Sequence, residues 1–217
     1  MIISISKAFC GVVILLYIIS TSIALGETQV FDNIEKQTGF QKVEGASFIL
    51  DLKYRTSDNF LKRDVYSAFD LNACYVHPEL YKRLQDVATI LNNQKQKLVL
   101  FDCFRPLSVQ KAMWKIVPDS RYVANPKNGS LHNRGIAVDV GIATEDGIYL
   151  EFPTAFDSFE PKAWRSYKCP EEDKEKCANR DFLRELMHKV GLVSINSEWW
   201  HFQLPEAKKY PLKDLSQ

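Results

Sequence analysis

The first 26 residues constrain this chain most. From Met1 to Gly26 the only charge is Lys7; residues 8–19 (Ala-Phe-Cys-Gly-Val-Val-Ile-Leu-Leu-Tyr-Ile-Ile) form an apolar run, and Ser20-Thr-Ser-Ile-Ala-Leu-Gly26 follows. A short charged lead, an apolar core and a small-residue end make the pattern of a secretory signal that is cleaved off. The alternative is an uncleaved membrane anchor through residues 8–26, but the strongly apolar part is shorter than the ~20 residues needed to cross a bilayer. Residues 27–217 are therefore expected to fold outside the reducing cytoplasm, secreted or periplasmic, and free of the membrane once the leader is gone. In such a compartment disulfides persist, and they restrict which folds are open to the chain.

The chain has 217 residues with 28 Lys+Arg and 27 Asp+Glu. Removing 26 residues and Lys7 leaves 191 residues with 27 charges of each sign. A neutral chain without a basic block excludes nucleic acid and anionic membrane surfaces as partners, because their binding rests on an excess of Lys and Arg. Cys10 leaves with the leader, and Cys74, Cys103, Cys169 and Cys177 remain. Four cysteines allow three pairings. The short charged loop between Cys169 and Cys177 can bury little by itself, which favours Cys169–Cys177 and, by elimination, Cys74–Cys103. A zinc–thiolate site is the rival, but no Cys-x2-Cys pair exists to support it.

Residues 27–217 hold no repeat, low-complexity run or linker, so one domain is expected. Residues 47–54 read as a strand. Residues 78–93 carry Leu80, Leu84, Val87 and Leu91 at helical spacing. Residues 97–104 read as a second strand. Pro106 opens a helix to about Ile116, with Val109, Met113 and Ile116 on one face. Residues 135–142 read as a strand, 179–190 as a helix closed by Gly191, and 198–204 as a late strand in which Trp199 and Trp200 alternate between core and pocket wall. The charge run 171–176 reads as a solvated loop. Strands and helices without regular alternation indicate the α+β class, a mixed or antiparallel sheet flanked by helices.

Two of the four histidines stand beside carboxylates. Ser130-Leu-His132-Asn-Arg-Gly135-Ile-Ala-Val-Asp139 puts an imidazole in a turn and a carboxylate in the following strand, with Gly135 permitting close approach. Glu198-Trp-Trp-His201 sets a carboxylate and an imidazole three apart among aromatics that exclude water. Two imidazoles and one carboxylate form a usual protein ligand set for a catalytic zinc, and a further carboxylate can act as base. Taken from residues alone, such spacing also arises by chance, and a histidine beside an aromatic is often a core residue. His77, before Pro78, reads as a helix-start residue. His188 reads as a helix C-terminal residue, where positive charge is favourable.

Five stretches in order resemble the zinc D-alanyl-D-alanine dipeptidases, a family related to the D,D-carboxypeptidases. They are Leu52-Lys-Tyr54-Arg-Thr-Ser-Asp-Asn59-Phe60, Phe101-Asp-Cys-Phe-Arg105-Pro106, the His132–Asp139 stretch, Phe156-Asp157 and Glu198-Trp-Trp-His201, spread over most of residues 48–204. The resemblance implies an α+β zinc-peptidase domain that hydrolyses D-Ala-D-Ala. It implies one zinc ion held by His132, Asp139 and His201, with Glu198 as general base and Arg105 holding the developing oxyanion. Tyr54, Ser130 and Asp157 match substrate-contacting positions, Asp157 facing the ammonium of a zwitterionic dipeptide. The bland alternatives are a surface Arg-Pro helix start for Arg105, a helix cap for Asp157 and core packing for Tyr54. A D,D-carboxypeptidase of peptidoglycan stem peptides, or a non-catalytic binder of cell-wall peptides, remain alternative functions. The sequence departs from the family before Phe156, where Glu151-Phe-Pro-Thr-Ala stands in place of Met-Gly, and in the Cys169–Cys177 segment. Oligomeric state is not legible.

Overall fold

The computed structural model describes residues 34–215; the leader and Cys10 lie outside the described residues. Its centre is a five-stranded sheet in the order β2-β4-β5-β7-β6: β2 (Phe48–Leu50), β4 (Gln96–Asp102), β5 (Ala137–Thr144), β7 (His201–Gln203) and β6 (Val193–Ser194). β2 runs parallel to β4 and every other neighbour is antiparallel. A second sheet pairs β1 (Gln41–Lys42) with β3 (Tyr75–Val76). With the helices α1 (Pro78–Asn92), α2 (Leu107–Ile116) and α3 (Lys174–Lys189), the architecture is the expected α+β class.

Hydrophobic periodicity explains the core. Leu80, Leu84, Val87 and Leu91 of α1 are fully buried in one cluster with Leu98 and Leu100 of β4, Val138 and Val140 of β5, and Leu183 and Met187 of α3. A smaller core gathers Tyr54, Tyr66, Phe104, Val109 and Met113. Two disulfides join Cys74 to Cys103 and Cys169 to Cys177, which leaves no thiolate among these four for a zinc site. Cys103 leads out of β4 toward α2, and the other disulfide ties the entry of α3 to its first turn.

Several elements differ from expectation. β2 ends at Leu50, and Tyr54 lies in a 3-10 turn, Lys53–Arg55. The side-chain amide of Asn59 donates to the carbonyls of Lys53, Thr56 and Arg63 and folds the segment back instead of extending it. Ile116 is 37% exposed, while the polar Gln110 is fully buried on α2 because it pairs with Arg105. α3 begins five residues early, at Lys174, and the charged run supplies a 3-10 turn, Glu171–Asp173, and the helix start, where acidic residues are favourable. The last strand contains only His201–Gln203. Trp199 and Trp200 precede it, both buried and with rings perpendicular; Trp199 stacks on Phe152 while Trp200 borders the cleft described next.

Candidate metal and peptide site

His132 lies in a 3-10 turn, His132–Arg134, and Gly135 follows it in the left-handed region at φ +64°. A Cβ there would come within 2.5 Å of the Phe40 ring, so both the turn and the packing require glycine. The chain then enters β5, where Asp139 stands directly opposite His201 of β7. His201 Nδ1 is 3.0 Å from Asp139 Oδ1, and His132 Nε2 is 3.2 Å from His201 Nδ1 and 3.4 Å from Asp139 Oδ1. These three atoms, all on buried residues, converge on one point.

The remaining imidazole nitrogens are engaged in the way a metal site requires. His132 Nδ1 lies 2.9 Å from the Cys103 carbonyl, and His201 Nε2 lies 2.9 Å from Gln203 Oε1. Each contact with an acceptor fixes a proton on that nitrogen and leaves the other lone pair facing the shared point. The electrostatics agree. Burial alone would raise the Asp139 carboxyl, but His132 and His201 overcome this and hold it well below the usual carboxylate range. His201 is pushed up to about 9 against the effect of burial, because Asp139 accepts from Nδ1 when that nitrogen is protonated as well; a cation at the shared point takes the place of that proton. The cluster therefore favours positive charge at its centre, and its donor set fits a zinc ion.

The cluster opens into a cleft of about 380 Å³ bordered by Tyr54, Arg105, Ser130, Asp157, Glu198 and Trp200 among others, at the small end of the range for ligand pockets. Glu198 Oε2 is 3.8 Å from His201 Nδ1. Burial raises the Glu198 carboxyl, the Asp139 charge adds to this, and His201 opposes it. Arg105 is buried, not a surface helix start. Its guanidinium is held by Asp102 at 2.5 Å and Gln110 at 2.9 Å and lies 5.0 Å from the Tyr54 ring centroid; its Nε has no partner among the described residues. Asp157 caps no helix. It adopts φ +61°, and its two oxygens accept from the Tyr54 hydroxyl at 3.0 Å and the Phe60 amide at 3.3 Å. Burial, with the Asp139 charge adding, pushes the Asp157 carboxyl up to about 7. The Ser130 hydroxyl accepts from the His132 amide at 3.3 Å and so braces the turn.

The fold thus gathers all eight non-cysteine candidates at one cleft. His77 instead accepts from the Glu79 amide at the start of α1, and His188 contacts Ser194 at 3.0 Å near the end of α3. Asp102 and Tyr66 receive no role from the sequence reading. The available signal for the first is an acid inside the apolar run of β4.

The family model described as "D-ala-D-ala dipeptidase" matches residues 36–215. The chain is 32% identical over 163 residues to a D-alanyl-D-alanine dipeptidase of Escherichia coli (strain K12), covering 75% of this chain and 82% of that protein. A D-alanyl-D-alanine dipeptidase of Enterococcus faecalis (strain ATCC 700802 / V583) is 24% identical over 180 residues, with 74% and 87% covered. Among solved structures, the vancomycin resistance D,D-pentapeptidase VanY with Zn(II) superposes at TM-score 0.40 and 16% identity, covering 64% of this chain and 77% of that one. The chain belongs to the D-Ala-D-Ala dipeptidase family and is a zinc metallopeptidase.

Proposed function

We propose that this peptidase hydrolyses the free dipeptide D-alanyl-D-alanine to two D-alanines, with one zinc ion held by His132, Asp139 and His201. The observation that carries the reading is Asp157. Its carboxylate borders the same cleft as the three ligands and is fixed by two neutral donors, Tyr54 and Phe60. Neutral donors orient a negative charge without cancelling it, so a substrate ammonium is the partner this wall is built for. An acylated substrate brings no ammonium and leaves that carboxylate unpaired.

When bound, zinc supplies Lewis-acid polarisation of the scissile carbonyl and acidification of the attacking water. Glu198 takes the proton of that water and delivers it to the leaving amine, and its raised affinity for protons suits both transfers. Arg105, braced on two edges and with Nε free, presents a fixed positive charge to the oxyanion that develops on the carbonyl. Tyr54 and Ser130 complete the substrate-facing wall. Residues 1–26 are read as a cleaved leader and 27–217 as the mature secreted or periplasmic domain, which two disulfides suit. There the dipeptide is met as material released from cell walls.

A panel of D,D, L,D and L,L dipeptides together with N-acetyl-D-Ala-D-Ala, run on protein of measured zinc content, tests the proposal. Free D-Ala-D-Ala should be cleaved fastest. Faster cleavage of the acylated substrate would make the enzyme a D,D-carboxypeptidase, and binding without turnover would make it a cell-wall peptide binder.

A further inference from the structure

We propose that Asp102 is a positioning residue that locks the Arg105 guanidinium and the His132 imidazole into one rigid unit. The inference rests on the roles assigned above to Arg105 and His132. Asp102 ends an apolar strand run and is fully buried, where an unpaired carboxylate costs several kcal/mol and an apolar residue would cost nothing. β4 also deforms to aim it. Leu100 pairs with Val140, yet Asp102 pairs with Asp139, so Phe101 is an extra residue in the ladder. Such a bulge redirects the side chains that follow it.

Three donors hold the carboxylate, and the His132 imidazole stands beside it. Oδ1 accepts from the Cys103 amide at 2.9 Å and from the Tyr66 hydroxyl. Oδ2 accepts from Arg105 Nη2 at 2.5 Å and lies 3.3 Å from His132 Nδ1, which also faces the Cys103 carbonyl. One oxygen atom therefore touches the group that meets the oxyanion and the imidazole that meets the metal. Asparagine offers one acceptor oxygen and no charge, so in Asp102→Asn either the NH2 faces Arg105 and His132 or a neutral oxygen holds them more weakly than the carboxylate does. A positioning role predicts losses in zinc affinity and in turnover together.

The test compares Asp102→Asn, Arg105→Ala, the double variant and Tyr66→Phe, reading kcat, KM and the zinc dissociation constant by chelator competition. Asp102→Asn should weaken zinc binding about 10- to 100-fold, the usual cost of losing an outer partner of a ligand. Its kcat should fall about as far as in Arg105→Ala, on the order of 10²- to 10³-fold, with KM nearly unchanged. Arg105→Ala should keep its zinc affinity, and the double variant should be no slower than either single one, because the two residues act as a unit. Tyr66→Phe disturbs the same buried cluster but leaves Oδ2 in place, so zinc affinity and kcat should hold within about threefold. Unchanged zinc affinity in Asp102→Asn, multiplicative losses in the double variant, or equal zinc losses in Tyr66→Phe would each overturn the proposal. An active Arg105→Ala would instead refute the role of Arg105, and the zinc measurement would still report on His132. Should Asp102→Asn fail to fold, Asp102→Glu keeps the charge but shifts it by one methylene, and the same two losses are expected.

Discussion

Replacing Asp157 by asparagine isolates the feature on which substrate choice is proposed to rest. The carboxylate offers one oxygen to the Tyr54 hydroxyl and the other to the Phe60 amide. An amide keeps one of these contacts and turns its NH2 toward the other donor. More costly is the loss of charge. Leaving a desolvated substrate ammonium without its counter-charge costs about 2–5 kcal/mol, which is about 30- to 5,000-fold in kcat/KM at 1.36 kcal/mol per decade. N-acetyl-D-Ala-D-Ala carries no ammonium, so its kcat/KM should stay within about threefold. The pH dependence follows from the same group. Burial and the Asp139 charge put the Asp157 carboxyl at about 7, and only the ionised form pairs with the ammonium. In the wild type, kcat/KM for the free dipeptide should therefore fall as pH drops through about 7, with zinc at the cluster offsetting Asp139 and moving the step lower. That limb should vanish in the variant. Stability moves the opposite way. A carboxyl raised from 3.8 to about 7 on folding binds its proton more tightly in the folded state, so stability falls as pH rises between those values. Over roughly 3 pH units this amounts to about 4 kcal/mol at most, and Asp157→Asn should be the more stable protein above neutral pH. Steady-state kinetics on both substrates from pH 5 to 9, with thermal melts across the same range, read all three effects. The reasoning fails if the variant keeps its kcat/KM for the free dipeptide, or loses both substrates equally.

Three further outcomes are expected. Glu198→Ala should retain stoichiometric zinc by elemental analysis while kcat drops about 10²- to 10⁴-fold; full activity would remove Glu198 from the mechanism. His132→Ala and His201→Ala should each purify without zinc, and a full complement of metal in both would refute the ligand set. Peptide mapping without reduction should link Cys169 to Cys177 and Cys74 to Cys103. Removing the second bond, which spans 29 residues, should cost about 3–4 kcal/mol by loop-closure entropy, more than removing the first, and unfolding in urea measures both.

What could be read from the sequence was what depends on neighbours along the chain. The stripe of Leu80, Leu84, Val87 and Leu91 follows from the 3.6-residue period, and the turn between His132 and Asp139 from a glycine that tolerates positive φ. What could not be read depends on side-chain hydrogen bonds and strand pairing that no hydrophobic period marks. Tyr54 leaves the expected strand because Asn59 gathers three carbonyls, and Gln110 takes the buried face of α2 because Arg105 needs an acceptor. The extra residue in β4 is likewise invisible until β5 pairs beside it. In the first two cases a polar group inside the fold is satisfied by a residue that no local period marks.

Strand pairing also explains how so short a strand as β7 can hold His201, a proposed metal ligand, accurately. Side chains alternate between faces, so slipping β7 by one residue along β5 would send His201 to the opposite side from Asp139. Three residues of backbone pairing are a weak guard against that slip. Packing supplies the rest. Phe202, between His201 and Gln203, is fully buried opposite Val138, and Trp199 and Trp200 are buried just before the strand. Flanking bonds from the Val140 amide to the Trp200 carbonyl and from the Leu204 amide to the Ile136 carbonyl extend the register at both ends. A slip that displaced His201 would have to expose Phe202 at the same time, at about 1.5–3 kcal/mol for that side chain alone. His201 and Gln203 share a face, so the register that brings His201 to Asp139 also brings the acceptor that fixes its ring. The hydrophobic alternation of β7 and the placing of His201 beside Asp139 are one constraint, and Phe202→Ala should lower zinc affinity measured by chelator competition.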